Sequence, residues 1–162
     1  MSRQLGNELP ESLLSLLDAH DLPSRAGKAI LITTIDARGW PHPALLSYGE
    51  VVAIDGRRLR VATYRSSGTS ENMRRSGHLT LCLIETGMAY YLKTRAVEQE
   101  SPWARFPALA RFEATVEQVL VDQAREDLEP EARITNGIAF ETAKPREELL
   151  SEWATVLNAL RA

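Results

Sequence analysis

Between Ala29 and Val121 the chain keeps returning to apolar, β-rich runs, each closed by a turn signal. Ala29–Ile35 is the first of these. Asp36-Ala37-Arg38-Gly39 then makes a tight turn, and residues 42–54 read as one second strand. Asp55-Gly56 pairs two residues that tolerate positive φ, which marks a hairpin into Arg58–Thr63. Strands near 78–85 and 88–98 follow, parted by a turn at Thr86-Gly87, and Phe112–Val121 alternates again. Helical signals are few. Residues 10–19 carry Leu13, Leu14, Leu16 and Leu17 behind Pro10, and Pro23 and Gly27 end that pattern. A short helix is expected near 69–76. At the other end, Pro145 opens a helix over 146–161, with Glu147 and Glu148 at its positive pole and Leu149, Leu150, Trp153, Val156, Leu157 and Leu160 on one face. Six or seven short strands with so few helices predict a mainly β protein: an antiparallel β-barrel whose open ends the helices cover.

A chain of 162 residues fits one domain spanning 1–162 and can enclose a core. With 44% hydrophobic and 25% charged residues it has the balance of a folded globular protein rather than a disordered one. The formal net charge of −3, with basic residues scattered among 22 acidic ones, gives no reason to expect a nucleic-acid partner. Cys82 is the only cysteine, so no internal disulfide and no cysteine-based metal site can form, and a reducing compartment is expected. No apolar signal region or membrane-length stretch is present, and the expected location is cytoplasmic.

The most informative segment for function is Thr63-Tyr64-Arg65-Ser66-Ser67-Gly68-Thr69-Ser70-Glu71-Asn72-Met73, which lies between two apolar runs. Hydroxyls, a glycine and an arginine gather where a strand gives way to the short helix. A helix start offers unpaired N–H groups and the positive end of a dipole, and Ser, Thr and Gly add short donors and close backbone approach. These features suit a phosphate, and they equally suit an ordinary N-cap.

The order of elements resembles the FMN-binding split-barrel superfamily, the pyridoxamine 5′-phosphate oxidase-like proteins. The resemblance rests on Ile30–Thr34, on Gly39-Trp40-Pro41-His42-Pro43-Ala44-Leu45-Leu46-Ser47, on Leu59–Thr63 and on Ser67–Met73. It is best over residues 28–96. It implies a homodimer with two FMN sites between the subunits and a small-molecule substrate. The second strand, with His42, Leu45, Leu46 and Ser47, would run along the flavin, and Ala62 and Thr63 would end the third strand beside the phosphate. Ser67, Gly68 and Thr69 would hold the phosphate, within a site that also takes in Arg65, Ser66, Asn72 and Arg74. Where the family often reads Ser-x-Lys, this chain has Thr69, and Arg65, Arg74 or Arg75 is expected to restore the missing charge. The resemblance implies a flavin-dependent oxidoreductase. The alternative on the same fold is a non-catalytic flavin-, deazaflavin- or haem-binding protein. The family's pyridoxal phosphate-forming oxidase usually ends in an Arg-rich segment, which the helix over 146–161 replaces here, so pyridoxamine phosphate is not the expected substrate.

Other candidates read as structural. His20 suits a helix end and His78 a strand start, and with His42 they are too dispersed for a metal site. Cys82 has apolar neighbours and reads as an inert thiol. Alternation sets Tyr91, Lys93 and Arg95 on one face and Tyr90, Leu92 and Thr94 on the other. Trp103 and Phe106 either cap a ring pocket or close the barrel mouth. The apolar surplus at Leu45, Leu46, Val51, Val52, Leu81, Leu83, Tyr91 and Leu92 is expected to supply a dimer interface.

Overall fold

A computed structural model describes residues 2–100, 102–125 and 127–162. Its strands are β1 (Arg3–Gly6), β2 (Lys28–Ile35), β3 (Pro41–Ser47), β4 (Val51–Ala53), β5 (Arg58–Tyr64), β6 (His78–Glu85), β7 (Met88–Gln99), β8 (Leu109–Asp122) and β9 (Ile138–Ala139). The helices are α1 (Glu11–Leu17), α2 (Leu22–Arg25), α3 (Gly68–Ser76) and α4 (Arg146–Arg161). The strands form one antiparallel sheet in the order β3-β2-β6-β7-β8-β5-β4, with β1 added on β8 and β9 on β2. This is the curled half-barrel expected of a split barrel.

The long strand β8 makes the curl possible. One edge of it pairs with β7, while the other pairs with β5 through Leu109–Thr115 and with β1 through 119–121. Between Lys93 and Thr94 of β7 the register shifts, and Glu117 of β8 is passed over. Such a bulge bends and twists a strand. It also resets the alternation. Ala110, Phe112, Ala114 and Val116 point into the core, and beyond the bulge Val119 and Val121 take over. Leu120, which strict alternation would set on the face of Val116, therefore lies on the opposite face and is only half-buried.

One expectation is corrected. Residues 42–54 are not a single strand, because a 3-10 turn at Tyr48–Glu50 splits them. Ser47 and Glu50 form a capping box across that turn: the Ser47 N–H and hydroxyl both donate to Glu50 Oε2, at 2.6 and 2.8 Å. The chain is thereby redirected, so that β3 pairs with β2 and β4 pairs with β5. Burial pushes the Glu50 carboxyl above its ordinary pKa, against the two bonds from Ser47. The sequence patterns also passed over β1, α2 and the two-residue β9.

Inside the curl lie Ile30, Ile32, Leu59, Val61, Leu79, Leu81, Leu83, Leu92 and Phe112, all fully buried. Trp103 joins this core, its ring 4.8 Å from that of Phe106. The loop that carries it spans 100–108, of which residue 101 lies outside the described residues. Helix α4 closes another flank with Trp153, Leu157 and Leu160 buried, as its stripe predicted. Gly49 makes that seat. A Cβ there would lie 2.2 Å from the Trp153 indole, so only a residue without a side chain lets the ring lie flat against the turn.

Gly49→Ala is accordingly expected to cost about 1–3 kcal/mol, the usual effect of overpacking, seen as a lower urea midpoint. In a Trp153→Ala background the same change should cost little, because the two sites share one contact. Equal costs in both backgrounds would show that the seat is not what the glycine provides.

Candidate functional site

Helix α3 begins where β5 ends, and a knot of hydroxyls holds it there. Ser67 is the N-cap: its side chain accepts the Ser70 N–H at 3.2 Å. The Ser70 hydroxyl donates to the Tyr64 carbonyl at 2.7 Å. With its one proton so used, it accepts from Thr63 Oγ1 at 2.6 Å and from the Ser67 hydroxyl at 3.3 Å. Ser70 and Thr63 are both buried. One turn on, Asn72 donates to Thr34 of β2 at 3.0 Å, and Thr34 in turn donates to the His42 carbonyl of β3 at 3.5 Å. Buried Met73 supplies the apolar anchor, and Gly77, at φ +69°, ends the helix by donating its N–H to the Met73 carbonyl.

These bonds fix what the start of α3 presents. Among the described residues, the N–H groups of Gly68 and Thr69 have no hydrogen-bond partner, and neither does the Thr69 hydroxyl. Thr69 is 6% exposed, and its Cβ tilts toward the helix N-terminus as helical side chains do. The His42 ring lies beside this end. A Cβ on Gly68 would stand 3.6 Å from its Cε1 and Nε2. Thus β3 and α3, far apart in sequence, meet at one spot. It holds a dipole end, two free amides, a free hydroxyl and an imidazole.

The remaining sequence-derived candidates divide into groups. Arg65 and Ser66 are exposed and line an open groove with Tyr64, Arg74, Pro107 and Ala108. Arg74 does not reach into that groove as a free cation. Its Nε and Nη2 fork onto Glu98 at 2.7 and 2.8 Å, its Nη1 donates to the Arg65 carbonyl at 3.0 Å, and the Glu98 hydrogen bond raises its pKa further. Arg75 donates to the Ile35 carbonyl and to Asn72. Leu46 and Ala62 are core residues, Thr63 and Asn72 hold α3, and the Ser47 hydroxyl serves the capping box. Leu45 stands on the outer face, 55% exposed. Sequence reasoning passed over Ser70 as the centre of the hydroxyl knot, and its position as N3 behind a Ser N-cap was the available signal.

Of the eight apolar residues expected at a dimer interface, Leu46, Val51, Val52, Leu81, Leu83 and Leu92 are buried within one chain. Only Leu45 and, in part, Tyr91 remain at the surface. Tyr91, Lys93 and Arg95 do share the outer face, where Arg95 meets Glu117 at 3.4 Å. Burial raises the pKa of Cys82. Among the described residues, no three His, Cys, Asp or Glu side chains gather as for a metal ion, and no helix is long and apolar enough to cross a membrane.

Comparison with known proteins agrees with this architecture. The family model described as pyridoxamine 5′-phosphate oxidase matches residues 20–150, and the chain belongs to that family. It is 30% identical over 157 residues to the uncharacterized protein YclD of Bacillus subtilis (strain 168), covering 96% of this chain and 97% of that one. Among solved structures it resembles a candidate pyridoxamine 5′-phosphate oxidase of Lactobacillus delbrueckii (TM-score 0.57, 19% identity, 72% of this chain and 98% of that one). It also resembles HupZ of Group A Streptococcus (TM-score 0.54, 12% identity, 82% and 99%). At these identities the solved structures speak for the fold alone.

Replacing Ser70 by Ala would strand the buried Thr63 hydroxyl, while the Tyr64 carbonyl keeps the Ser67 N–H. The expected cost is about 1–3 kcal/mol, the penalty of an unsatisfied buried polar group. Denaturant unfolding reads this directly, and an unchanged midpoint would show that the knot does not hold α3.

Proposed function

We propose that this protein binds FMN and acts as a flavin-dependent oxidoreductase on a small molecule. The observation that carries the reading is the set of unpartnered donors at the start of α3. A phosphate monoester takes N–H and O–H donors at a positive helix end, and the Gly68 and Thr69 amides with the Thr69 hydroxyl form such a set. Membership of the pyridoxamine 5′-phosphate oxidase family supports a flavin rather than another phosphate ester. Ser66, exposed in the loop before the N-cap, would add a further hydroxyl. Bound FMN would supply the redox chemistry, accepting a hydride from NAD(P)H or from a reduced substrate. The task of the chain's own residues is to bind and orient, which needs no catalytic acid or base.

We further propose that two copies assemble through the outer face of the sheet and enclose the flavin ring between them. Leu45, Leu31, Cys82, Tyr91 and Leu120 lie in register across β3, β2, β6, β7 and β8, and none is fully buried in one chain. This unbroken apolar row, rather than the buried surplus, supports the dimer.

The visible spectrum of the purified protein, titrated with FMN, tests the cofactor. A perturbed flavin band that NAD(P)H bleaches without oxygen is expected. A Soret band, or no spectral change with FMN, would contradict the reading. Thr69→Val should weaken FMN by about three- to tenfold, as for loss of one hydrogen bond, and leave riboflavin binding unchanged. For assembly, sedimentation should show a dimer that Leu45→Glu dissociates. A wild-type monomer at micromolar concentration would refute it.

A further inference from the structure

We propose that His42, rather than any arginine, supplies the positive charge that holds the phosphate at the start of α3. On this view the site distinguishes a phosphomonoester from its neutral parent through an imidazolium. The inference rests on the FMN reading above and goes beyond it by naming the counter-charge.

A phosphate dianion held among protein groups calls for a counter-charge, and Thr69 brings only a neutral hydroxyl. The structure disposes of two of the three arginines that could replace it. Arg74 and Arg75 both lie in the last turn of α3. Their backbones lie roughly 10 Å along the helix from its start, and although Arg74 Nη1 reaches back to the Arg65 carbonyl, that guanidinium is already committed to Glu98. Arg74 is forked onto Glu98, and Arg75 is turned to the Ile35 carbonyl and Asn72. Arg65 remains, exposed in the loop and directed to the neighbouring groove with Tyr64 and Pro107.

His42 differs from all three because it is built into the spot. Pro41 and Pro43 stiffen the strand on either side of it, and its backbone is paired with Thr34, which Asn72 ties to α3. Its side chain lies on the face of β3 that also carries Ala44 and buried Leu46, turned toward α3. The ring occupies the open side of Gly68, in van der Waals reach of where a Cβ would be. A phosphate accepting the Gly68 and Thr69 amides would therefore sit against the imidazole. An adjacent dianion favours the protonated ring, which then contributes both a donor and a charge. Among charged groups nearby, Asp36 in the β2–β3 turn feels both His42 and Arg75, and its carboxylate is already held by the Arg38 and Trp40 N–H groups at 2.8 and 2.9 Å.

The test compares FMN with riboflavin by flavin-fluorescence titration in wild type, His42→Gln, His42→Lys and Arg65→Ala. The quantity read is the ratio of the riboflavin to the FMN dissociation constant. Gln keeps a donor without the charge and should cut the ratio by about ten- to a hundredfold, as for a hydrogen bond to a charged group. Lys restores the charge and should keep the ratio within about threefold of wild type, as should Arg65→Ala, by the same arithmetic. Riboflavin affinity reports folding of the rest of the site in each variant and should not move. If wild type discriminates and His42→Gln discriminates equally, the proposal fails while the phosphate site stands. An equal loss for both ligands in His42→Gln, an Arg65→Ala loss as large as expected for Gln, or no rescue by Lys would also overturn it. A wild type that binds FMN no better than riboflavin overturns both the proposal and the reading beneath it.

Discussion

Ser70 has one hydroxyl proton and two lone pairs, and the protein uses all of them. The proton goes to the Tyr64 carbonyl, and the lone pairs take the Thr63 and Ser67 hydroxyls. A buried hydroxyl so saturated has one low-energy arrangement, because losing any partner leaves a desolvated polar atom behind. The arrangement joins the last residues of β5 to the first turn of α3, and this decides where the positive end of the helix lies. Asn72 extends the same logic to β2 and β3 through Thr34. The meeting of His42 with Gly68 depends on these bonds rather than on any direct attraction between the two residues.

The sheet around this knot is shaped by two departures from regularity. The bulge at Glu117 turns β8 so that one strand can serve three neighbours, and it exchanges which side chains face the core. The capping box at Ser47 and Glu50 stops β3 and starts β4 on the other side of the barrel. That same turn carries Gly49, against which Trp153 of α4 lies. End of strand, change of sheet position and seat of the terminal helix are thus settled within four residues. Arg60 strengthens the far end of α4 by donating to the Leu160 and Arg161 carbonyls, where a helix leaves acceptors unpaired.

Much of this could be read in the sequence because it is local. Alternation in β7 placed Tyr91, Lys93 and Arg95 on one face, and the stripe of α4 marked Trp153 and Leu160 as buried. Asp55-Gly56 marked the hairpin, where the Asp55 carboxylate accepts the Arg57 and Arg58 N–H groups. Other features were present but passed over. Ser47-x-x-Glu50 is a capping-box pattern inside a run otherwise read as one strand. Strand β1 has little apolar alternation, being held mainly by its backbone pairing with β8. Features that depend on distant partners could not be read at all. Nothing in a single sequence says that Glu98 takes Arg74, 24 residues away, or that His42 comes to rest on Gly68. For that reason the hydroxyl-rich loop was legible as a candidate site while the roles of its cations were not.

We propose that the first amides of α3, held by the hydroxyl knot, receive a phosphate. Their nuclear magnetic resonance signals report on this directly. In a titration of isotopically labelled protein, the Gly68 and Thr69 amide resonances should move with FMN far more than with riboflavin, because only FMN brings an acceptor to those N–H groups. If FMN binds and shifts resonances elsewhere while these two stay in place, the start of α3 is only a helix cap and receives no phosphate.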